Sequence, residues 1–211
     1  MSMELLPYTI KDISFLVVKN LYTDFEVFLI QKELDFLYYS NAFTRDKEEL
    51  GSAINYDDPD ENLASRSGLV LDNHYKNRQS SIILQLNSKV FSNENIRNTF
   101  STQNFYHSYF LTFDLDATLL QYYENGDNYA PHVDTSLFTA VTWFYKSPKQ
   151  FKGGEFKFTE LNFEIDCEHN SCVIFPSNLI HEVNKVTSDL KRSDEPYGRF
   201  SITQFLSFRS R

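Results

Sequence analysis

The length, composition and charge of the chain limit the classes of protein to which it can belong. With 211 residues, 41% of them hydrophobic and 16% aromatic, the chain has enough apolar surface to bury one core, which excludes a disordered chain. Its formal net charge of -9 gives no basic field for phosphate backbones or anionic lipid, so nucleic acid is not expected as the main partner. We therefore predict that residues 1–211 form a single soluble domain.

The amino-terminal residues and the cysteines indicate the compartment. No charged segment followed by an apolar one opens the sequence, and no later stretch is long and apolar enough to span a bilayer. Cys167 and Cys172 are the only cysteines, which is too few for a disulfide framework. A zinc knuckle would need a second pair of ligands at suitable spacing, so we expect two reduced thiols around a turn. The sequence thus predicts a cytoplasmic protein with no membrane partner.

In chain order, the first predicted elements are a strand, a helix and a loop. Residues 13–18 form an apolar, β-branched run that is typical of a strand. Thr23 and Asp24 then offer a helix cap, and Val27, Ile30 and Leu34 recur at helical spacing. Residues 44–78 are polar and interrupted by glycine and proline, which predicts a long loop. Such loops are commonly substrate lids or disordered segments, and the sequence does not decide between the two.

The remaining sequence changes from helical to β-rich patterns. Residues 81–91 and 96–110 mix apolar and polar positions as short helices do. From residue 111 onward, short runs rich in Phe, Tyr, Val, Ile and Thr are separated by glycine, asparagine and proline. The predicted strands cover residues 111–123, 140–145, 155–159, 172–175, 181–186 and 199–205. Because helices come early and strands late, we predict an α+β fold in which helices within residues 1–110 flank a jelly-roll core in residues 111–208.

Two histidines and an aspartate are the strongest candidates for a metal site. His132 and Asp134 are two residues apart, so in an extended backbone their side chains project from the same face. His181 begins a later predicted strand, after a turn that could bring it beside the first pair. Two imidazoles and one carboxylate on one side of an ion leave the opposite positions open, as in non-heme iron(II) oxygenases. A His-x-Asp tripeptide alone is weak support, because such tripeptides also arise by chance.

Further motifs accompany this pair in a fixed order. Residues 129–134 read Tyr-Ala-Pro-His-Val-Asp, and a Gly-Gly-Glu-Phe motif begins at Gly153. Phe-Pro follows at Phe175, His-Glu-Val at His181 and Arg-Phe-Ser at Arg199. Over residues 111–208, this ordered set closely resembles the 2-oxoglutarate/iron(II) dioxygenases, in particular the prolyl 4-hydroxylase-like branch. The resemblance implies that the jelly-roll core is a double-stranded β-helix.

The resemblance also implies roles for individual residues. His132, Asp134 and His181 would ligate Fe(II), and Arg199 would pair with the distal carboxylate of 2-oxoglutarate. A guanidinium suits this role because its planar donor fork matches a carboxylate. Ser201, two residues further along the same face of a strand, would help to bind that carboxylate. Aromatic residues at three more positions would line the co-substrate pocket, namely Tyr123, Tyr129 and Tyr145.

Some of these assignments have alternatives in the sequence. The interval between His181 and Arg199 is polar and longer than is common in the family, so Lys191 or Arg192 could instead be the co-substrate cation. We prefer Arg199 because Phe200 and the apolar residues after it make its segment a credible strand. Each of the three tyrosines could equally be a packing residue of the core.

The activity implied by the resemblance is hydroxylation of a C–H bond. The cofactor would be Fe(II), with 2-oxoglutarate and molecular oxygen as co-substrates, succinate and carbon dioxide as co-products, and ascorbate as an additional reductant. A prolyl residue in a peptide or protein is the favoured target, and a free amino acid or small metabolite is the alternative. Nucleic-acid dealkylation ranks lower, because Phe205 stands where that branch has a second arginine. From other classes, a zinc hydrolase or a non-catalytic binding module could use the same ligand types.

Overall fold

The structure is a computed structural model, and it describes residues 2–53, 63–190 and 195–209. These residues form two antiparallel β-sheets, with α-helices packed on the outer face of one sheet. The helices are α1 (Asp24–Tyr39), α2 (Leu71–His74), α3 (Ile82–Leu86), α4 (Lys89–Ser92) and α5 (Glu94–Ser101). Of the helices in the described ranges, none has both the length and the apolar character that crossing a membrane requires.

The twelve strands of the described residues are divided between the two sheets. In chain order they are β1 (Glu4–Ile10), β2 (Ile13–Lys19), β3 (Ala64–Ser65), β4 (Ser67–Val70), β5 (Leu115–Tyr123), β6 (Asn128–His132), β7 (Phe138–Phe144), β8 (Phe156–Phe158), β9 (Phe163–Ile165), β10 (Ser171–Pro176), β11 (His181–Val183) and β12 (Arg199–Ser207). The larger sheet has the order β1-β2-β10-β7-β12-β5-β4, and the smaller one has the order β3-β6-β11-β8-β9. This arrangement is a double-stranded β-helix, so the predicted α+β jelly roll with flanking helices is confirmed.

The amino-terminal elements agree with the sequence pattern and add one strand to it. The predicted strand is β2, and the predicted helix is α1, whose capping box joins the Thr23 side chain to the Glu26 backbone N–H and the Glu26 side chain to the Thr23 backbone N–H. β1 was not predicted, because its polar residues and Pro7 are unfavourable for a strand. It forms a hairpin with β2 through Lys11 and Asp12, which both adopt positive φ angles as a tight two-residue turn requires.

The prediction of one long loop over residues 44–78 is wrong for its second half. Residues 64–74 form β3, β4 and α2. These short elements depend on tertiary contacts that a local pattern does not contain, since β4 pairs with β5 and Gly68 packs closely against Leu50. The acidic cluster of this segment, at residues 57–61, lies outside the described residues.

The strands predicted for the carboxyl half occur, although some have different ends. β5 begins at Leu115 rather than at Leu111, because residues 106–111 wind into a 3-10 helix whose Tyr106 and Phe110 rings pack on Phe138. The predicted strand over residues 181–186 ends earlier, at Val183. Short helices were expected in residues 81–110, and α3, α4 and α5 confirm them.

The larger sheet has a different environment on each face, as β12 illustrates. Phe200, Ile202 and Leu206 pack beneath the helices, whereas the alternate residues Arg199 and Ser201 point towards the smaller sheet. Apolar side chains from both sheets fill most of the space between them, with a cavity beside them. The buried aromatic residues of this inner core include Phe15, Trp143, Phe156, Phe158 and Phe175.

Candidate metal centre

Three side chains that could bind a metal meet where β6 and β11 pair. His132 ends β6, His181 begins β11, and the two residues are cross-strand partners. Asp134 follows two residues after β6, and its backbone N–H donates to the carbonyl of Ser177. One ligand atom from each of the three side chains lies within 4.8 Å of the others. Nε2 of His132 is 3.9 Å from Oδ1 of Asp134, and Nε2 of His181 is 3.5 Å from Oδ2.

Backbone carbonyls decide which ring nitrogen of each histidine faces the other ligands. Nδ1 of His132 lies 2.8 Å from the carbonyl oxygen of Ala130, and Nδ1 of His181 lies 2.9 Å from that of Leu179. A carbonyl oxygen only accepts hydrogen bonds, so each Nδ1 carries the proton and donates it. Nε2 of each ring therefore keeps a free lone pair, which is the form in which an imidazole binds a metal.

A chain of hydroxyl groups orients the aspartate. Thr139 Oγ1 donates to Oδ2 of Asp134 at 2.6 Å, and it lies 2.8 Å from Oγ of Ser177. Oγ of Ser177 is in turn 2.7 Å from Oγ of Ser136, which donates to the carbonyl of Phe138. Such outer partners hold a metal-binding carboxylate in one orientation before the ion arrives.

Replacing Thr139 with valine, which has the same shape without the hydroxyl, is expected to weaken metal binding by about tenfold. The reason is that Asp134 loses the hydrogen bond to Oδ2 while the cavity keeps its volume. Titration with Mn(II) measures the affinity of the variant against that of the wild type. A Thr102→Val variant removes an exposed hydroxyl that bonds only to helix carbonyls, and serves as the matched control. Equal Mn(II) affinity in the two variants would contradict the orienting role of Thr139.

Burial sets the protonation of the cluster. Burial and the neighbouring His181 lower the pKa of His132 to about 4, and burial lowers the pKa of His181 to about 4. Both imidazoles are therefore neutral near pH 7 and ready to act as ligands. Burial raises the pKa of the Asp134 carboxyl, while the hydrogen bond from Thr139 opposes the rise. A bound cation would favour the ionised carboxylate.

The metal-free protein is expected to lose stability as the pH falls from about 6.5 towards about 4. His107, His132 and His181 all have pKa values of about 4 in the folded chain against an ordinary value of 6.5. In this interval the unfolded chain binds more protons than the folded chain, so protonation favours unfolding. Asp116 and Asp134 act in the opposite direction because their folded-state pKa values are raised, but they are two groups against these three histidines and His169, whose pKa burial also lowers.

Urea unfolding at about pH 7 and about pH 5 measures this loss as a change in the free energy of unfolding. His107 lies outside the candidate metal centre, so a His107→Gln variant should show a smaller difference between the two pH values. A His74→Gln variant changes an exposed ring and should show the wild-type difference. A wild-type free energy of unfolding that does not change between the two pH values would contradict the prediction.

The cluster lines a cavity of about 1000 Å³ between the two sheets. β12 contributes Arg199, Ser201 and Thr203, which are alternate residues on one face of the strand. Tyr123 of β5 and Trp143 of β7 line the cavity beside them. The cavity thus combines a possible metal site with hydrogen-bond donors, a cation and aromatic walls.

Arg199 is a cation buried in this cavity, with only 1% of its surface exposed. Its Nη1 donates to the carbonyl of Gly154 at 2.6 Å and lies 2.9 Å from Sγ of Cys167. Its cross-strand partner is Tyr123, whose ring centroid is 4.7 Å from the guanidinium carbon. Its Nε is buried and has no hydrogen-bond partner among the described residues. An acceptor from a bound anion would satisfy this donor, so the site fits a carboxylate ligand.

The Gly-Gly pair places the carbonyl that holds Arg199. Gly153 and Gly154 have φ angles of 73° and 74°, which disfavour any residue with a Cβ atom. A Cβ atom on Gly153 would lie 2.1 Å from the carbonyl oxygen of Lys185, and one on Gly154 would lie 2.9 Å from Cγ2 of Val186. The motif that marks the family resemblance therefore has a physical role, because it allows the close approach that orients Arg199.

The structure brings most of the sequence-predicted site residues together and leaves one outside. The residues that line the cavity with the metal cluster are Arg199, Ser201, Tyr123 and Tyr129. Oγ of Ser201 donates to Oε1 of Gln121 at 3.3 Å. Tyr145 does not line the cavity, because it follows the end of β7 and its ring packs on Phe151 and His169 instead. Lys191 and Arg192 lie outside the described residues.

Thr139, Cys167 and Arg66 are among the residues of the site that were not predicted from the sequence. Thr139 precedes the predicted start of its strand by one residue, so a strand beginning earlier would have drawn attention to it. Cys167 is a free, buried thiol, as expected, but its contact with Arg199 joins residues that are distant in sequence. Arg66 lines the cavity from a segment that was predicted to be loop, and no local signal distinguishes it from a surface arginine.

The fold and the cluster together define the class of protein. Two histidines and one carboxylate at the rim of a double-stranded β-helix are the arrangement of non-heme iron oxygenases. Residues 117–207 match the sequence model of the 2OG-Fe(II) oxygenase superfamily. The resemblance predicted from the motifs is therefore confirmed for this part of the chain.

Individual proteins that resemble the chain are named as hydroxylases. The crystal structure of a Pseudomonas putida prolyl-4-hydroxylase aligns over 93% of both chains with a TM-score of 0.62 at 14% identity, which shows a shared fold. A PKHD-type hydroxylase of Rippkaea orientalis is 30% identical over 88 residues, and one of Pseudoalteromonas atlantica is 31% identical over 80 residues. These matches cover 36% and 31% of this chain. The chain therefore spans 40% and 35% of the length of these two curated relatives.

Proposed function

We propose that the protein is a 2-oxoglutarate- and Fe(II)-dependent dioxygenase that hydroxylates a C–H bond of a prolyl residue in a peptide or protein. The observation that carries the proposal is the convergence of one carboxylate oxygen and two imidazole nitrogens within 4.8 Å in a cavity that also contains a buried arginine. The superfamily match supports the chemistry, the hydroxylase relatives support hydroxylation as the reaction, and the resemblance of the motifs to the prolyl 4-hydroxylase-like branch supports the prolyl target.

In this proposal, His132, Asp134 and His181 ligate Fe(II), and Arg199 binds the distal carboxylate of 2-oxoglutarate. The donor set fits the ion, because both imidazoles present a free Nε2 and the carboxylate is oriented by Thr139. When bound, Fe(II) and 2-oxoglutarate together supply the oxidising chemistry that converts a C–H bond, oxygen and 2-oxoglutarate into an alcohol, succinate and carbon dioxide. Ascorbate is included in the proposal as a reductant that keeps the iron in the ferrous state.

The residues of the chain would orient the reactants and exclude water. The Arg199 guanidinium is fixed by the carbonyl of Gly154, so only its unsatisfied Nε and its free edge are available to a carboxylate. Ser201, Tyr123 and Tyr129 line the same cavity and would complete the co-substrate pocket. Aromatic walls limit the access of water to the reacting atoms.

The proposal extends to the organisation and location of the protein. We place residues 1–211 in one domain, in which residues 1–110 support the sheet and the substrate entrance and residues 111–208 form the catalytic core. A cytoplasmic location is supported by the two cysteines, which are both unpaired thiols and suit a reducing compartment.

Succinate release tests the proposed chemistry. The purified protein is incubated with Fe(II), oxygen and 2-oxoglutarate, with and without a library of prolyl peptides and free amino acids, and succinate and product masses are measured. The expected result is succinate in an amount equal to the product that gains one oxygen atom, with Zn(II) unable to replace Fe(II). No succinate under any of these conditions would remove the dioxygenase proposal, and hydrolysis supported by Zn(II) would favour the hydrolase alternative.

A further inference from the structure

A second buried guanidinium lines the same cavity. Arg66 lies between β3 and β4, where the chain passes from the smaller sheet to the larger one, and is only 3% exposed. Its Nη2 donates to Oγ of Ser52 at 3.1 Å, and its Nε is buried with no hydrogen-bond partner among the described residues. The guanidinium carbon is 5.1 Å from the centroid of the Tyr129 ring, which stacks on His132 with 3.7 Å between centroids. One aromatic ring therefore joins this cation to a candidate metal ligand.

The charge of Arg66 is not balanced within the described part of the chain. The ion pairs formed by the described residues do not include it. Its contacts, the Ser52 hydroxyl and the face of Tyr129, are neutral. Glu48 and Glu49 also line the cavity, but both are exposed, so water screens their charges. A buried cation is stable when an anion pairs with it, so the surroundings of Arg66 fit an anionic ligand.

Arg66 and Arg199 are separate cations with separate contacts. Arg199 lies over the ring of Tyr123, whereas Arg66 lies over the ring of Tyr129. Burial raises the pKa of the Tyr123 phenol to about 12, and the charges of both guanidiniums oppose the rise. In the proposed function, the distal carboxylate of 2-oxoglutarate pairs with Arg199. The other cation stays available to a second anion in the same cavity.

We infer that Arg66 binds a carboxylate of the primary substrate. The inference rests on the proposed function and adds the substrate class to it, namely an acidic substrate whose reactive C–H bond lies near the candidate metal centre. The guanidinium is suited to the task because its planar fork can donate two parallel hydrogen bonds to one carboxylate. Two sources share this chemistry: the α-carboxylate of a carboxyl-terminal proline, and the side chain of an acidic residue next to a proline in a peptide.

Matched acid and amide probes test the inference on the wild-type protein. The protein is loaded with Mn(II) and 2-oxoglutarate without oxygen and titrated with N-acetyl-L-proline and its amide, and with prolyl peptides that carry Glu or Gln beside the proline. Trp143, the single tryptophan of the chain, lines the cavity, so its fluorescence reports binding. The acid of at least one pair is expected to bind about tenfold more tightly than its neutral partner, and the pair that shows this preference identifies the source.

Variants assign the preference to Arg66. Arg66→Gln is expected to bind the acid and neutral probes equally, with an affinity for 2-oxoglutarate within about twofold of wild type. Arg66→Lys keeps the charge without the fork and should retain part of the preference. Arg97→Gln removes the same charge from α5, outside the cavity, and should bind all probes as the wild type does.

Several results would overturn the inference. The inference is wrong if the wild-type protein binds the acid and the neutral member of both pairs equally, or if it binds none of the probes. This test does not depend on whether the variants fold. The inference is also wrong if the Arg66→Gln variant still prefers the acid probe but has lost its affinity for 2-oxoglutarate. In that case Arg66 would be the cation that binds the co-substrate. Succinate formation from Fe(II), oxygen and 2-oxoglutarate, measured on the same preparation, reports separately on the proposed function. If no succinate forms but the wild-type protein still prefers the acid probes, the dioxygenase activity is contradicted, whereas the binding of an anion by Arg66 is not.

Discussion

Replacing Asp134 with alanine is expected to lower the affinity for Fe(II) by more than about 100-fold and to abolish succinate formation. Among the described residues, Asp134 is the only carboxylate in the metal cluster, so the variant keeps two neutral imidazoles and no anionic ligand. Removing a residue that orients a metal ligand already lowers metal affinity by about 10- to 100-fold, and removing the ligand itself lowers the affinity further. Titration of the metal-free protein with Fe(II) under argon, in competition with a coloured chelator, measures the loss.

An exposed aspartate provides the matched control for this experiment. Asp166 lies between β9 and β10, so an Asp166→Ala variant should bind Fe(II) and form succinate at the wild-type level. Circular dichroism checks that both variants keep their β-structure. If Asp134→Ala retained full Fe(II) affinity and turnover, the assignment of the three ligands would be wrong, whatever the activity of the protein is.

Replacing Arg199 with glutamine is expected to raise the KM for 2-oxoglutarate by about 10- to 100-fold, which is the loss caused by removing a charge-assisted hydrogen-bond pair. The effect should fall on KM more than on kcat, because the residue would bind the co-substrate and does not touch the bond that reacts. Arg199→Lys keeps the charge but loses the planar fork, so an intermediate KM is expected. Steady-state succinate formation over a range of 2-oxoglutarate concentrations gives both constants.

The same substitution at Arg209 separates a specific effect from a general loss of charge. Arg209 is exposed beyond the end of β12, and Arg209→Gln should keep the wild-type KM. Thermal unfolding of Arg199→Gln must be measured as well, because the side chain is buried and holds the carbonyl of Gly154. If the Arg199→Gln protein folds and its KM for 2-oxoglutarate is unchanged, the assignment of Arg199 is wrong. Another cation, such as Lys191, Arg192 or Arg66, would then bind the co-substrate.

Much of the fold could be predicted from the sequence, because local patterns and long-range packing favour the same elements there. The apolar run of β2 and the capped, periodic sequence of α1 are examples. β3 and β4 could not be predicted, since they are short and exist through pairing with β6 and β5. Tertiary contacts of this kind override weak local preferences.

The residues of the candidate site could likewise be predicted only where a local pattern marks them. The spacing of His132 and Asp134 and the order of the later motifs are properties of the sequence, and they selected the three side chains that meet in the candidate metal centre. Tyr145 was selected by its position along the chain, but its ring lies outside the cavity because β7 ends one residue earlier. Arg66 was missed because burial of an arginine depends on what surrounds it in space, which no local pattern records.

The order of the strands has a consequence for biosynthesis. β12, which carries Arg199, lies between β5 and β7, and β2 pairs with β10 across most of the sequence. Pairing between distant segments makes folding slow, because loop closure costs entropy before the contacts form. Until residues 199–207 leave the ribosome, β5 and β7 each lack a neighbour on one side, and such open edges recruit other chains. A nascent chain is therefore expected to need protection by chaperones until β12 closes the gap in the sheet.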